Sequence, residues 1–166
     1  MRLYLLRHAR AESGKAGAPD HARALSAEGR RDAAAVGVWL ARRDEPPARV
    51  LCSSATRAVE TLRALLPPLP VSPVWRLSDE VYLASAWKLF EAVRATDPGV
   101  ARLLVVGHNP GLADLAAKLA ASGEPQALRG LARGFPPAAV AEIELPGGSW
   151  SEIELESGRL VAHFVV

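Results

Sequence analysis

Cysteine occurs once in these 166 residues, at Cys52, so no internal disulfide can form and a cytoplasmic setting is the natural expectation. No apolar run approaches the roughly 18 residues that crossing a bilayer requires. The opening run is too short for a secretory leader, and a charge ends it. Charge of one sign is not in excess either. The net charge is +2, too small to argue for nucleic acid or a membrane surface as partner, although the pI near 9.0 leans weakly that way. Asn, Gln and Met also occur once each, and Arg far outnumbers Lys. This thinning of labile side chains fits a GC-rich genome or a warm habitat and bears on no activity. No internal repeat, linker or low-complexity segment interrupts the chain. What is there is ordinary for a folded protein: 49% hydrophobic and 23% charged residues, in a length that suits one domain over residues 1–166 with a proper core.

Leu3-Tyr4-Leu5-Leu6 reads as a short buried strand that stops at Arg7-His8-Ala9-Arg10. Adjacent residues of an extended chain point to opposite sides, so Arg7 and His8 serve one site only if the backbone turns there. A polar connection through Ser13, Gly14, Gly17, Pro19 and Asp20 follows. Ser26 then caps a helix predicted over 27–43, with Ala33, Val36, Gly37 and Leu40 on one face. A second strand, 49–52, leads through Ser53-Ser54 into a helix over 55–66 that Pro67-Pro68 stops. A weaker strand, 71–75, is broken by Pro73, and Asp79-Glu80 reads as loop. Ser85 caps a helix over 86–96, whose apolar face is Leu89, Phe90 and Val93.

The run Leu103-Leu104-Val105-Val106 is apolar without alternation, as in a central parallel strand covered on both faces. That strand, 102–107, ends at His108-Asn109-Pro110-Gly111, and a helix is predicted over 112–121. The tail differs. Residues 141–145 alternate, with Ile143 and Leu145 opposite Glu142 and Glu144, and a last strand covers 160–166. The expectation is an α/β fold: a mostly parallel central sheet flanked by helices on both faces, with antiparallel C-terminal edge strands.

Four places of chemical interest each follow a strand end: Arg7-His8, Ser53 to Arg57, Glu80, and His108. Ligands of open α/β sheets collect beyond the carboxyl ends of the strands, so these residues would share one rim. Two guanidiniums, two imidazoles and a carboxylate suit the handling of a phosphoryl group. Arg7 and Arg57 offer planar, permanently charged forks to phosphate oxygens. Arg57 would also lie in a first helical turn, where free N–H groups favour an anion. A neutral imidazole attacks phosphorus, a second one steadies the equatorial oxygens, and a carboxylic acid protonates a poor leaving group. Each residue has a plain alternative: Arg57 as a solvated helix residue, Glu80 as an exposed loop acid, and His108 as part of an Asn109-Pro110 turn. Of the other histidines, His21 lies in the first long loop and His163 in the last strand, where packing or solvent is the simpler reading. Trp39, Trp75, Trp87 and Trp150 read as core or edge packing.

Leu6-Arg7-His8-Ala9 resembles the Arg-His-Gly motif that opens the histidine phosphatase superfamily, which includes the cofactor-dependent phosphoglycerate mutases. The stretch from Ser53 to Thr61 resembles that family's Ser-x-x-x-Arg-Ala-x-x-Thr, and Val106-Gly107-His108-Asn109-Pro110 its closing His segment. Ala9 in place of Gly, the block from Arg23 to Gly29, and the tail from Phe135-Pro136 to Trp150 resemble the short SixA-type phosphohistidine phosphatase branch. The resemblance implies a phosphoglycerate mutase-like fold in which His8 is the nucleophile and becomes phosphorylated. It also implies that Arg7, Arg57 and His108 form the phosphate pocket, with no metal or other cofactor. This chain has no Asn soon after the first motif and no long lid-bearing insertion; Glu80 stands nearest by position to a proton donor.

The expected activity is therefore a phosphatase acting through a phosphohistidine on His8, with phosphohistidine in a protein as substrate. A small-molecule phosphomonoesterase is the alternative. A non-catalytic phosphate-recognition module ranks lower, since binding alone needs no nucleophile. A metal hydrolase using His8, His21 and His108 ranks last, because no His pair has the close helical spacing of zinc ligands.

Overall fold

The computed structural model describes residues 1–14 and 17–166; positions 15 and 16, inside the stretch read as loop, lie outside the described residues. Strand β1 (Arg2–Arg7) is followed by helix α1 (Ala27–Ala41), β2 (Arg49–Ser53), α2 (Thr56–Leu65) and β3 (Val74–Ser78). Next come α3 (Ala86–Arg94), β4 (Arg102–Gly107), α4 (Gly111–Leu119), β5 (Ala120–Gly123), α5 (Pro125–Arg133), β6 (Val140–Glu144) and β7 (Gly158–Phe164). Among the described residues the strands form one sheet in the order β3-β2-β4-β1-β6-β7-β5. The neighbours β3, β2, β4 and β1 run parallel, β6 is antiparallel to both β1 and β7, and β5 is parallel to β7.

The non-alternating runs of β1, β2 and β4 are explained by two cores, one on each face. Leu3, Leu5, Leu51, Leu103 and Val105 point to the face covered by α3 and α4. Tyr4, Leu6, Val50, Cys52, Leu104 and Val106 point to the face covered by α1 and α2. With a side-chain period of two, a strand buried on both faces must be apolar at every position. On the second face α1 and α2 come close enough that a Cβ on Gly37 would lie 2.4 Å from the Leu65 carbonyl oxygen. Gly37 is therefore a packing requirement, and its place on the apolar face of α1 is as the helical period predicts.

Three details differ from expectation. The third strand begins at Val74 instead of residue 71, because Pro73 has no N–H to give the ladder; Val74 N–H is the first to bond, to the Ala48 carbonyl at 3.1 Å. The antiparallel strands are not the sheet's edge, since β5 pairs outside β7. On the face opposite Ile143, Glu142 is only 3% exposed, where Arg2 and Arg43 flank its carboxylate. Finally, the helix expected over 112–121 ends at Leu119, and β5 and α5 follow unforeseen. Helix α5 is nine residues long and buries only Ala127, so little of it belongs to the core. Its usable signal was Pro125 at the first turn and Gly134 just past the end.

The parallel arrangement decides where chemistry can gather. β2, β4 and β1 are adjacent and co-directional, so Ser53, Gly107 and Arg7 all stand at the same rim.

Candidate active site

At the end of β1 the backbone leaves the sheet, and His8 N–H donates to the Gly107 carbonyl of β4 at 3.0 Å. The turn is held from below by the second motif. Ala9 N–H donates to Thr61 Oγ1 at 3.0 Å, and Thr61 in turn donates to the Arg57 carbonyl at 2.7 Å. Glu60 accepts from Leu25 N–H at 2.6 Å. Ser26 N–H donates to the Arg10 carbonyl at 3.0 Å, and a Cβ on Gly29 would lie 2.1 Å from that same oxygen. The block from Arg23 to Gly29 is thus the clamp on the loop after His8. Ser26 meanwhile caps α1 by accepting from Gly29 N–H.

His8 and His108 face each other with ring centroids 5.0 Å apart. Nδ1 of His8 is 2.8 Å from the Ala9 carbonyl. A carbonyl only accepts, so Nδ1 carries the proton and Nε2 keeps its lone pair. Arg57 Nε donates into that lone pair at 3.1 Å. Burial, followed by the charges of Arg57, Arg7 and Arg23, lowers the His8 pKa to about 4 against the pull of the Ala9 carbonyl. His108 is only 2% exposed, and burial with the neighbouring His8 and Arg57 lowers its pKa to about 3. Its Nε2 is 2.8 Å from Ser53 Oγ, and its Nδ1 is 3.4 Å from Arg57 Nη2. Arg57 can only donate, so Nδ1 bears the lone pair and Nε2–H donates to Ser53.

Arg57 is 3% exposed and spends its remaining donors on Asp20, in the stretch expected as loop. Nη1 donates to the Asp20 carbonyl at 2.7 Å and Nη2 to Asp20 Oδ2 at 2.9 Å. Tyr82 hydroxyl also donates to Oδ2 at 2.9 Å, and Arg23 Nη1 to Oδ1 at 2.9 Å. Arg23 first, then Tyr82, with Arg57 adding its share, holds the Asp20 carboxyl well below the usual carboxylate range. The available sequence signal was Asp20 standing three residues before Arg23 at the entrance to the clamp. His21 reaches the same rim, with its ring edge-on to Tyr82 and Nε2 2.9 Å from Ser54 Oγ.

Arg7 lies on the other flank. Nη1 donates to the Phe135 carbonyl at 2.9 Å, beside the Asn109 side-chain amide that donates to the same oxygen at 2.8 Å. Arg7, His8, Arg57 and His108 are therefore brought together as expected. Glu80 is not. It stands on a single 3₁₀ turn, Asp79–Val81, instead of in open loop, and its exposed side chain lines a separate depression with Lys88 and Glu91. Its neighbour Asp79 is the one turned toward the rim, accepting from Ser54 Oγ. Of the tryptophans, Trp150 is core, whereas Trp75 and Trp87 are exposed. Among the described residues no group of three or more His, Cys, Asp or Glu is arranged to hold a metal ion. No helix among them is long and apolar enough to cross a membrane.

The lowered imidazole pKa values have a consequence for stability. An unfolded histidine titrates near 6.5, so between that pH and the folded values of about 4 and 3 the unfolded chain binds more protons. The contribution of both rings to stability is complete above pH 6.5 and is lost as the pH falls through the folded values. Thermal melts from pH 7 to pH 4 should show a falling Tm with a shallower slope in His108→Gln. A Tm independent of pH over that interval would contradict buried, neutral imidazoles.

An α/β sheet with a buried imidazole pair and two guanidiniums at the carboxyl ends of its parallel strands defines a class of phosphoryl-handling proteins. Comparison with known proteins places the chain within that class: it belongs to the histidine phosphatase superfamily, whose branch 1 model matches residues 3–83. An uncharacterized protein of Mycobacterium leprae is 33% identical over 147 residues, 88% of each chain. A structure from Nakamurella multipartitia that bears the name phosphohistidine phosphatase SixA is 27% identical, with a TM-score of 0.82 over 99% of this chain and 95% of its own. One from Agrobacterium tumefaciens bearing the same name is also 27% identical, with a TM-score of 0.81 over 99% and 97%. The fold is the phosphoglycerate mutase-like one, and the family is one of phosphatases.

Proposed function

We propose that this chain is a metal-independent phosphatase that removes the phosphoryl group from phosphohistidine in a protein, through a covalent phosphohistidine on His8. The observation that carries the reading is the state of His8: Nδ1–H is tied to the Ala9 carbonyl, and the ring is kept neutral with its Nε2 lone pair held at Arg57. Nε2 attacks phosphorus in line as the bond from phosphorus to the leaving nitrogen breaks. Arg57 releases Nε2 and turns its donors, with those of Arg7, to the equatorial oxygens. The incoming negative charge raises the His108 pKa, so that Nδ1 gains a proton and becomes a third donor. Water then attacks the phosphoryl-His8 phosphorus, releasing inorganic phosphate and restoring the neutral ring.

The carboxyl groups support phosphohistidine as substrate over alkyl esters. Expelling an alkoxide needs a proton, and general acid help there is worth roughly a hundredfold or more. Asp20 is held ionised by Arg23, Tyr82 and Arg57, and Glu80 lines a different depression. An imidazole leaves neutral once its other nitrogen is protonated, so it has no such need. Turnover of a phosphohistidine-bearing protein should exceed that of a panel of phosphate monoesters, and Glu80→Gln should barely change it. Faster monoester turnover that collapses in Glu80→Gln would instead establish the small-molecule reading. Chelator dialysis should leave activity unchanged; a loss restored by Zn²⁺ or Mg²⁺ would refute metal independence.

A further inference from the structure

Beside the phosphate pocket, on the Arg7 flank, lies a cavity of about 730 Å³. That volume is in the range that holds a small organic group. Helix α5, which was not expected from the sequence, forms one wall, with Arg133 at its C-terminal end, and the end of β7 forms another, with His163. Arg7 and Asn109 close the side nearest His8. Arg7 thus belongs both to the cavity lining and to the set of residues gathered at the rim.

Its chemistry is one-sided. Two arginines line it and no Asp or Glu does, so its field favours an anion. Three of its lining residues also carry a buried polar atom without a hydrogen-bond partner: Arg7 Nε, Asn109 Oδ1 and His163 Nε2. These atoms have almost no exposed surface, so it is the charge of the lining that sets what the cavity takes. The wall is also shaped to seat the imidazole. A Cβ on Gly130 of α5 would lie 2.7 Å from His163 Nδ1, so only glycine leaves that ring its place against Phe135.

We propose that this cavity binds a second anionic group of the phosphorylated substrate, with Arg133 as its partner, while the phosphoryl group sits at Arg7, Arg57 and His8. The inference rests on the phosphate-pocket reading above and adds to it a requirement on the rest of the substrate. That second anion is either an acidic side chain beside a phosphohistidine or a carboxylate of a small organic phosphate.

Phosphonates bind as phosphate esters do but cannot transfer their phosphorus, so calorimetry with phenylphosphonate and carboxyphenylphosphonate separates binding from turnover. The carboxylated compound should bind about tenfold more tightly to the wild-type protein, as one added charge-assisted contact allows. Arg133→Ala should erase that preference and Arg133→Lys should keep part of it, with phenylphosphonate bound equally by all three. Equal affinity for the two compounds in the wild-type protein, or a preference that survives Arg133→Ala, would overturn the inference and leave the phosphate pocket intact. Failure of both to bind would overturn the phosphate pocket and the inference with it. The source of the anion follows from kcat/KM in wild type and Arg133→Ala. The substrates are phosphohistidine peptides with Glu or Gln next to the phosphohistidine, and aryl phosphates with or without a carboxylate. A loss confined to the Glu peptide assigns the site to a protein acid, and one confined to the carboxylated aryl phosphate assigns it to a small molecule. The same loss for all four substrates refutes the proposal.

Discussion

Brief incubation with a labelled phosphoryl donor, followed by rapid quench, is expected to leave an acid-labile, base-stable phosphate on His8. His8→Ala is expected to lose turnover by a factor on the order of 10⁴ or more, as removal of a covalent nucleophile does. The fold should survive the change. What fixes this turn is backbone: His8 N–H on the Gly107 carbonyl and Ala9 N–H on Thr61 Oγ1, neither of which involves the imidazole. The His8→Ala protein should therefore still bind phosphate or vanadate through its arginines. Label recovered on another residue, or substantial turnover by His8→Ala, would refute covalent catalysis by His8.

The second large effect is expected at Arg57. Its guanidinium addresses three residues at once: His8 Nε2 through Nε, Asp20 through Nη1 and Nη2, and His108 Nδ1 through Nη2. Lysine keeps the charge but concentrates it on a single nitrogen, which cannot reach all of these directions. Arg57→Lys should lower kcat/KM by about a hundredfold or more, the range found when one preorganised donor is removed from a developing anion. The loss should fall on kcat as well as KM, because the same donors that bind ground-state phosphate must follow its oxygens into the transition state. Equal activity in Arg57→Lys would mean that Arg57 only attracts anions and does not grip the reacting group.

Much of this was legible in the chain itself. An uninterrupted apolar run needs cover on both faces, so Leu103 to Val106 announced a central parallel strand, and the strand–helix alternation announced the rest of the parallel half. Parallel strands share a rim, and that alone sends the residues after β1, β2 and β4 to one place. Arg7, His8, Arg57 and His108 could be assembled from spacing and chemistry because each stands at, or within four residues of, the end of a strand whose direction was already implied. Local signals such as the Ser26 and Ser85 caps also read true, since a cap depends on three or four neighbouring residues and little else.

What remained for the tertiary structure were contacts between segments distant in sequence. Nothing in a polar loop marks Asp20 as the partner of Arg57, 37 residues away; only the clamp between Arg10, Ser26 and Gly29 folds that loop over the pocket. Glu80 was placed by its neighbourhood in sequence, yet on a single 3₁₀ turn a step of one residue redirects a side chain, and Asp79 took the position facing the rim. Strand alternation put Glu142 and Glu144 on one face but could not say whether that face is covered. The burial of Glu142 was decided by Tyr4 and Arg2 of β1 and by Arg43 beyond the end of α1, which surround its carboxylate. Helix α5 was also missed: it is nine residues long, buries a single alanine and is packed against β7, so its place depends on a strand far along the chain. The sequence by itself determined that Arg7, His8, Arg57 and His108 reach the rim, because the alternation of strand and helix already implies which strands run parallel. The tertiary structure alone decided which partners hold them there and what stands beside Arg7, because those depend on contacts between elements far apart in the chain.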